Sequence, residues 1–198
     1  MFIIGITGGT GAGKTTALRV MEELGGYVVD CDELYHDLLR ESEMLKLEIV
    51  EQYGDVLTDG QIDRKKLGEI VFRDEASLLE LENISHRYVK DELGKAMDIQ
   101  RRNGRRLFAV DAIALFESGL SELCDVVVGV IAAPEVRIRR IMAREGIGEE
   151  YARLRVNAQK PDSFYRERCN LILENKDEPP EIFASHCRKV FSEMLMNR

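Results

Sequence analysis

Between a short apolar run and the first helical pattern, the chain reads Gly8-Gly9-Thr10-Gly11-Ala12-Gly13-Lys14-Thr15. Few sequence features restrict a chain more tightly. Its glycines let the backbone coil around a small object with N–H groups turned inward. A helix opening near Lys14 aims its N-terminal partial positive charge at the same point. The segment therefore suits a phosphate, and its spacing is the P-loop pattern G-x-x-x-x-G-K-[ST]. Gly9, Gly11, Ala12 and Gly13 offer backbone N–H groups. Lys14 reaches the β- and γ-phosphates of a nucleotide such as ATP, the Thr15 hydroxyl can ligate Mg2+, and Thr16 touches the α-phosphate. The pattern needs a strand before it and a helix after it. Both are legible: Phe2–Ile6 is apolar, and Lys14–Leu24 carries Ala17, Leu18, Met21 and Leu24 at helical spacing.

The rest of the chain repeats this alternation. Tyr27–Asp30, Leu107–Asp111, Val126–Ala132 and Leu171–Leu173 read as further strands, separated by helical stretches. Strands spaced by helices predict a five-stranded parallel sheet covered on both faces, a three-layer α/β fold. Residues 33–103 are too much helix for one crossover, broken only by a turn at Thr58-Asp59-Gly60. They predict an inserted helical subdomain for an acceptor. Residues 144–162 form a second, charged insertion, expected to be a lid. A last helix opens at Pro179-Pro180 and runs to the C-terminus, with Ile182, Phe183, Cys187, Val190, Phe191 and Leu195 facing the sheet. All 198 residues fit one P-loop domain with two insertions.

Charge and cysteines narrow the partners. Lys and Arg number 28 against 36 Asp and Glu, a formal net charge of −8. That balance argues against nucleic acid or an anionic membrane as the main partner. Small anionic ligands remain open, since a few local residues bind those. The apolar run Val126–Ala133 is too short to span a bilayer, and the N-terminus lacks a basic region and a cleavage pattern. Cys31, Cys124, Cys169 and Cys187 lie far apart, without metal-ligand spacing, and read as reduced thiols in the cytoplasm. A monomer is expected.

Among P-loop proteins, a GTPase is disfavoured. Asn175-Lys176-Asp177-Glu178 has Glu where guanine reading needs Asp, and no Asp-x-x-Gly follows the third strand. A small kinase fits better. Asp30 and Asp32 close the second strand, where alternation puts them on one side of an extended chain. Strand ends in such sheets face the ligand crevice. Asp32 can there accept a hydrogen bond from an acceptor hydroxyl and orient its attack. The helix from Pro134 carries Arg137, Arg140 and Arg144 at i, i+3 and i+7, a stripe suited to clamping transferring phosphates.

The chain resembles the dephospho-CoA kinase family along most of its length. Gly5–Thr16 is similar to the family's P-loop. Val28-Val29-Asp30-Cys31-Asp32 resembles its Val-Ile-Asp-Ala-Asp, and Asp63-Arg64 through Phe72 matches a block after an Asp-Gly turn. Leu115-Phe116-Glu117-Ser118-Gly119 resembles its Leu-Leu-Phe-Glu-Ser. The chain departs from the family pattern at Arg87, Ile113, Arg137 and Asn170. The resemblance implies transfer of phosphate from ATP, with Mg2+, to the ribose 3′-hydroxyl of dephospho-CoA, giving coenzyme A. It implies Asp32 as the base, with Lys14 and Arg140 in catalysis and Arg144 and Asn175 on ATP, Asn175 near the adenine. It puts Arg64, His86, Glu117 and Gln159 on the acceptor side. A nucleoside or nucleoside monophosphate kinase, or a nucleotide-gated binding module, are the alternatives.

Overall fold

The computed structural model describes residues 1–196. Five strands form one sheet: β1 (Phe2–Thr7), β2 (Tyr27–Asp30), β5 (Leu107–Asp111), β6 (Val126–Ile131) and β7 (Leu171–Glu174). Their spatial order is β2-β5-β1-β6-β7, and all neighbours run parallel. A separate hairpin, β3 (Leu57–Thr58) with β4 (Gln61–Ile62), is antiparallel. The hairpin replaces the bare turn expected at 58–60. Asp59 and Gly60 both adopt positive φ there, as a two-residue hairpin turn requires.

Alternation along the strands divides the core in two. Ile4 and Ile6 of β1, Leu107 and Ala109 of β5, and Val128 and Val130 of β6 face one layer. That layer is α1 (Lys14–Glu23) and α9 (Pro180–Met196), which bring Ala17, Val20, Met21, Phe183, Cys187 and Phe191 to it. Ile3, Phe108, Val110 and Val127 face the opposite way, onto Val89, Leu93 and Met97 of α5 (Glu75–Arg102). Both faces are thus covered, which is why these strands read as nearly continuous apolar runs.

The segment between β2 and β5 builds a core of its own. Helices α2 (Cys31–Glu41), α3 (Glu43–Tyr53) and α4 (Arg64–Val71) pack with the first half of α5. Leu39, Leu45, Ile49, Val56, Leu67, Val71, Leu81 and Ile84 fill the space between them. Helix α5 therefore belongs to both cores, and ties this segment to the sheet. Between β6 and β7 run α6 (Pro134–Glu145), α7 (Glu149–Asn157) and α8 (Asp162–Arg168). Ile138 and Ile141 of α6 close on Ala152 and Val156 of α7.

Two sequence expectations are corrected here. Ile182, placed on the buried side of α9, is 53% exposed; Phe183 and Ala184 beside it take the buried face of the first turn, and Ile182 points away from the sheet. The expected run to the C-terminus includes residues 197 and 198, which lie outside the described residues. Phe191 is fully buried. Phe191→Ala is expected to cost about 3–5 kcal/mol in urea denaturation. Ile182→Ala should stay within about 0.5 kcal/mol, as exposed positions do. Equal losses would contradict the assignment of the buried face.

Candidate active site

The glycine-rich segment leaves the C-terminal end of β1, the central strand, and turns into α1. Gly13 caps that helix with φ of 113°, a left-handed conformation that an L side chain resists. A Cβ there would also meet the Asn175 amide. The turn is held from outside by side chains. Arg137 Nε donates to the Thr10 carbonyl at 3.0 Å. Arg140 Nη1 donates to the Gly11 carbonyl at 3.3 Å, and Asn175 Nδ2 to the Ala12 carbonyl at 3.1 Å. A planar trans peptide puts the next N–H opposite its carbonyl. Tying these carbonyls outward therefore turns the N–H groups of Gly11 and Gly13 inward.

The concave side of the loop opens on a cavity of about 440 Å³. Gly9, Gly11, Gly13, Lys14, Thr15, Asp30, Asp32, Asp111, Arg140, Arg144 and Arg155 border it. Lys14 Nζ donates to the Gly8 carbonyl at 3.1 Å, so its ammonium arches over the loop. Ala12 is buried in the loop floor. Thr16 follows in α1, its N–H bonded to the Gly13 carbonyl at 3.0 Å. Two of the bordering residues carry sequence signals too weak to assign beforehand. Asp111 ends β5 as Asp30 ends β2. Arg155 lies ten residues beyond Glu145, and pairs with it across α6 and α7.

Asp30 and Asp32 are both present but not as an extended pair. The strand ends at Asp30, whose carboxylate caps α2 by accepting from the N–H groups of Asp32 (2.8 Å) and Glu33 (3.1 Å). Asp32 thus stands in the first helical turn, with its own carboxylate free of capping. Its pKa is raised, first by burial and then by the charge of Asp30, with Lys14 and His36 opposing. Asp111 is affected more. Burial pushes its carboxyl up to about 6, against the pull of Lys14. Its Oδ1 is buried with no hydrogen-bond partner.

Asp32 also borders a second, mostly apolar cavity. Cys31, Tyr35, Leu81, His86, Val89, Ala112 and Leu120 line its walls. His86 holds its pKa below the usual histidine value through burial, which favours a neutral ring. His86 faces a further cavity too, shared with Glu117, Gln159 and Lys160. Arg64 is not part of this group: it lies at the start of α4, beside His36 and Arg40 in a separate cavity. The arginine stripe also divides. Arg140 and Arg144 face the phosphate cavity, while Arg137 is buried behind the loop. Asn175, expected near an adenine, is likewise buried beneath the loop, where Arg140 donates to its Oδ1 at 3.0 Å. Gln159 bonds Thr10 and Arg137 on the loop's outer side.

A sequence profile of dephospho-CoA kinases matches residues 2–181. The chain belongs to the dephospho-CoA kinase family. A dephospho-CoA kinase of Geobacter sulfurreducens is 35% identical over 184 residues, 92% of this chain and 93% of the relative. One of Geobacillus kaustophilus is 37% identical over 174 residues, 87% of each. Among solved structures, a Thermus thermophilus protein is 31% identical with a TM-score of 0.79, covering 97% of both chains. The dephospho-CoA kinase of Campylobacter jejuni is 26% identical with a TM-score of 0.70, covering 97% of this chain and 96% of that one. Shikimate kinase from Acinetobacter baumannii (17% identical, TM-score 0.54) shares the fold.

The Asp111 carboxyl makes the ligand-free protein sensitive to pH. Its pKa is higher in the folded chain than the ordinary 3.8, so the fold holds this proton more tightly than the unfolded chain does. The resulting stabilisation is complete below about pH 4 and is lost as pH rises through about 6, up to about 3 kcal/mol in all. Asp111→Asn should flatten the fall in urea stability between pH 5 and 7.5. An unchanged slope would contradict this origin.

Proposed function

We propose that the chain transfers the γ-phosphoryl group of ATP to the ribose 3′-hydroxyl of dephospho-CoA, giving coenzyme A and ADP. The observation that carries this reading is the position of Asp32. It borders both the cavity lined by the P-loop and the adjoining apolar one. A donor phosphate over Lys14 and an acceptor in the apolar cavity would meet at its carboxylate. A nucleotide-gated switch needs no second cavity of this kind, so the geometry favours an acceptor. Membership of the family supports dephospho-CoA as that acceptor over a nucleoside monophosphate.

Each residue then has a role. Lys14 and the loop N–H groups hold the β- and γ-phosphates. Asp32 accepts a hydrogen bond from the 3′-hydroxyl and aligns its oxygen with the γ-phosphorus. In a loose transition state this alignment matters more than early proton removal. The oxygen–phosphorus bond to the acceptor forms, the bond to ADP breaks, and the hydroxyl proton passes to Asp32. Arg140, Arg144 and Arg155 stabilise charge spreading over the transferred group. His86, neutral and half-buried, and Glu117 shape the acceptor side, with Gln159 at its edge. Arg64 reaches a more distant acceptor phosphate.

Magnesium fits these residues as an ion held with ATP. Among the described residues no group of three or more His, Cys, Asp or Glu side chains could hold a metal alone. The Thr15 hydroxyl and the unpartnered Asp111 oxygen nevertheless border the phosphate cavity. Mg2+ there would neutralise charge between the β- and γ-phosphates. We read residues 33–103 as the acceptor-binding insertion and 144–162 as the lid. Among the described residues no helix is long and apolar enough to cross a membrane. The four free cysteines accord with a reducing cytoplasm.

ADP release from ATP and Mg2+ tests the reading. Stimulation by dephospho-CoA and not by nucleoside monophosphates is expected. Hydrolysis indifferent to every acceptor would instead favour a switch. Asp32→Asn should lower turnover by about 10²-fold or more while ATP still binds. Lys14→Ala should lose both turnover and affinity for ATP. Wild-type rates in Asp32→Asn would remove its role.

A further inference from the structure

Arg137 is a cation in an expensive place. It is 3% exposed, and among the described residues no carboxylate pairs with it. Asp162 is the acid whose charge it feels. It also stands in the first turn of α6, where the helix dipole opposes a positive charge. Burying an unpaired guanidinium costs several kcal/mol unless its donors are used. Its partners are two neutral oxygens, the Thr10 carbonyl and Gln159 Oε1.

Gln159 completes a closed set around Thr10. Its Oε1 accepts from the Thr10 N–H at 2.9 Å, and its Nε2 donates to Thr10 Oγ1 at 2.7 Å. The N–H, the carbonyl and the hydroxyl of Thr10 are therefore all engaged from outside the loop. The fit leaves no slack. A Cβ on Gly9 would run into the Arg137 guanidinium and Gln159 Oε1, so only glycine lets this latch close.

We propose that Arg137 and Gln159 act as one latch that presets the crest of the P-loop for phosphate, positioning the loop without contacting the phosphates themselves. Thr10 is the point they hold. Without the latch, the ATP phosphates must order the loop themselves, at a cost in affinity. The latch also ties the segment between α7 and α8 to the loop, so the end of the proposed lid is anchored where the phosphates bind.

The inference rests on reading the loop as an ATP site, not on the acceptor. Affinity for ATP is therefore measured by direct titration, with no acceptor present, beside steady-state turnover of ATP and dephospho-CoA. Arg137→Gln and Gln159→Ala should each weaken ATP binding about 10-fold, the scale of one charge-assisted hydrogen bond. The double variant should be little worse than either alone, since one unit has already been broken. Gln159→Glu keeps the acceptor for Arg137 and the Thr10 N–H, and should restore most of the affinity. In turnover, KM for ATP should rise by more than kcat falls, and KM for dephospho-CoA in Arg137→Gln is the control reading, since Arg137 is buried behind the loop. If Arg137→Gln fails to fold, Gln159→Ala and Gln159→Glu decide alone, because Gln159 is only half-buried. ATP affinity within twofold of wild type in both single variants overturns the latch. So do multiplicative losses in the double variant, or a Gln159→Glu as weak as Gln159→Ala. A wild-type chain that binds ATP but ignores dephospho-CoA would sink the acceptor reading and leave the latch tested.

Discussion

Three consecutive carbonyls of the P-loop, those of Thr10, Gly11 and Ala12, accept hydrogen bonds from Arg137, Arg140 and Asn175. This constraint shapes the site. A glycine-rich loop alone has many conformations, and ordering it costs entropy at every glycine. Fixing the carbonyls from outside orients the neighbouring N–H groups before any ligand arrives. The donors come from α6 and from the residue that follows β7, whereas the loop follows β1. The phosphate cradle therefore forms only when β1, β6 and β7 are assembled side by side.

The same constraint reconciles an acidic chain with polyanionic substrates. The formal net charge is −8, yet the phosphate cavity is bordered by Lys14, Arg140, Arg144 and Arg155 against Asp30, Asp32 and Asp111. Four cations face three acids. Burial holds the Asp111 carboxyl up near 6, so this acid sheds its charge only in mildly acidic solution. Local arrangement, not the global sign, decides what binds.

Much of this was legible in the sequence, and the failures have physical causes. The three central strands β1, β5 and β6 were readable because burial on both faces demands continuous apolar runs. The P-loop was readable because its glycines and Lys14 serve local geometry. Asp32 borders the cavity beside the P-loop, but Asp30 is the helix cap, since the strand stops at Asp30, two residues short of the extended reading through Asp32. Arg137 read as part of a phosphate-clamping stripe with Arg140 and Arg144. Helical spacing gives a face, but not what packs against it, and here the P-loop does. Asn175 and Gln159 are held by partners more than 140 residues away in sequence, which no local pattern reveals. The hairpin at 57–62 is too short for periodicity to register.

The central claim is that Asp32 joins the donor and acceptor sites. A crystal structure of the protein with a non-hydrolysable ATP analogue and dephospho-CoA tests it most directly. The account predicts the ribose 3′-oxygen at about 3 Å from the Asp32 carboxylate, in line with the γ-phosphorus held over Lys14. A ribose bound elsewhere, beside Arg64 for example, with Asp32 facing only solvent, would contradict it.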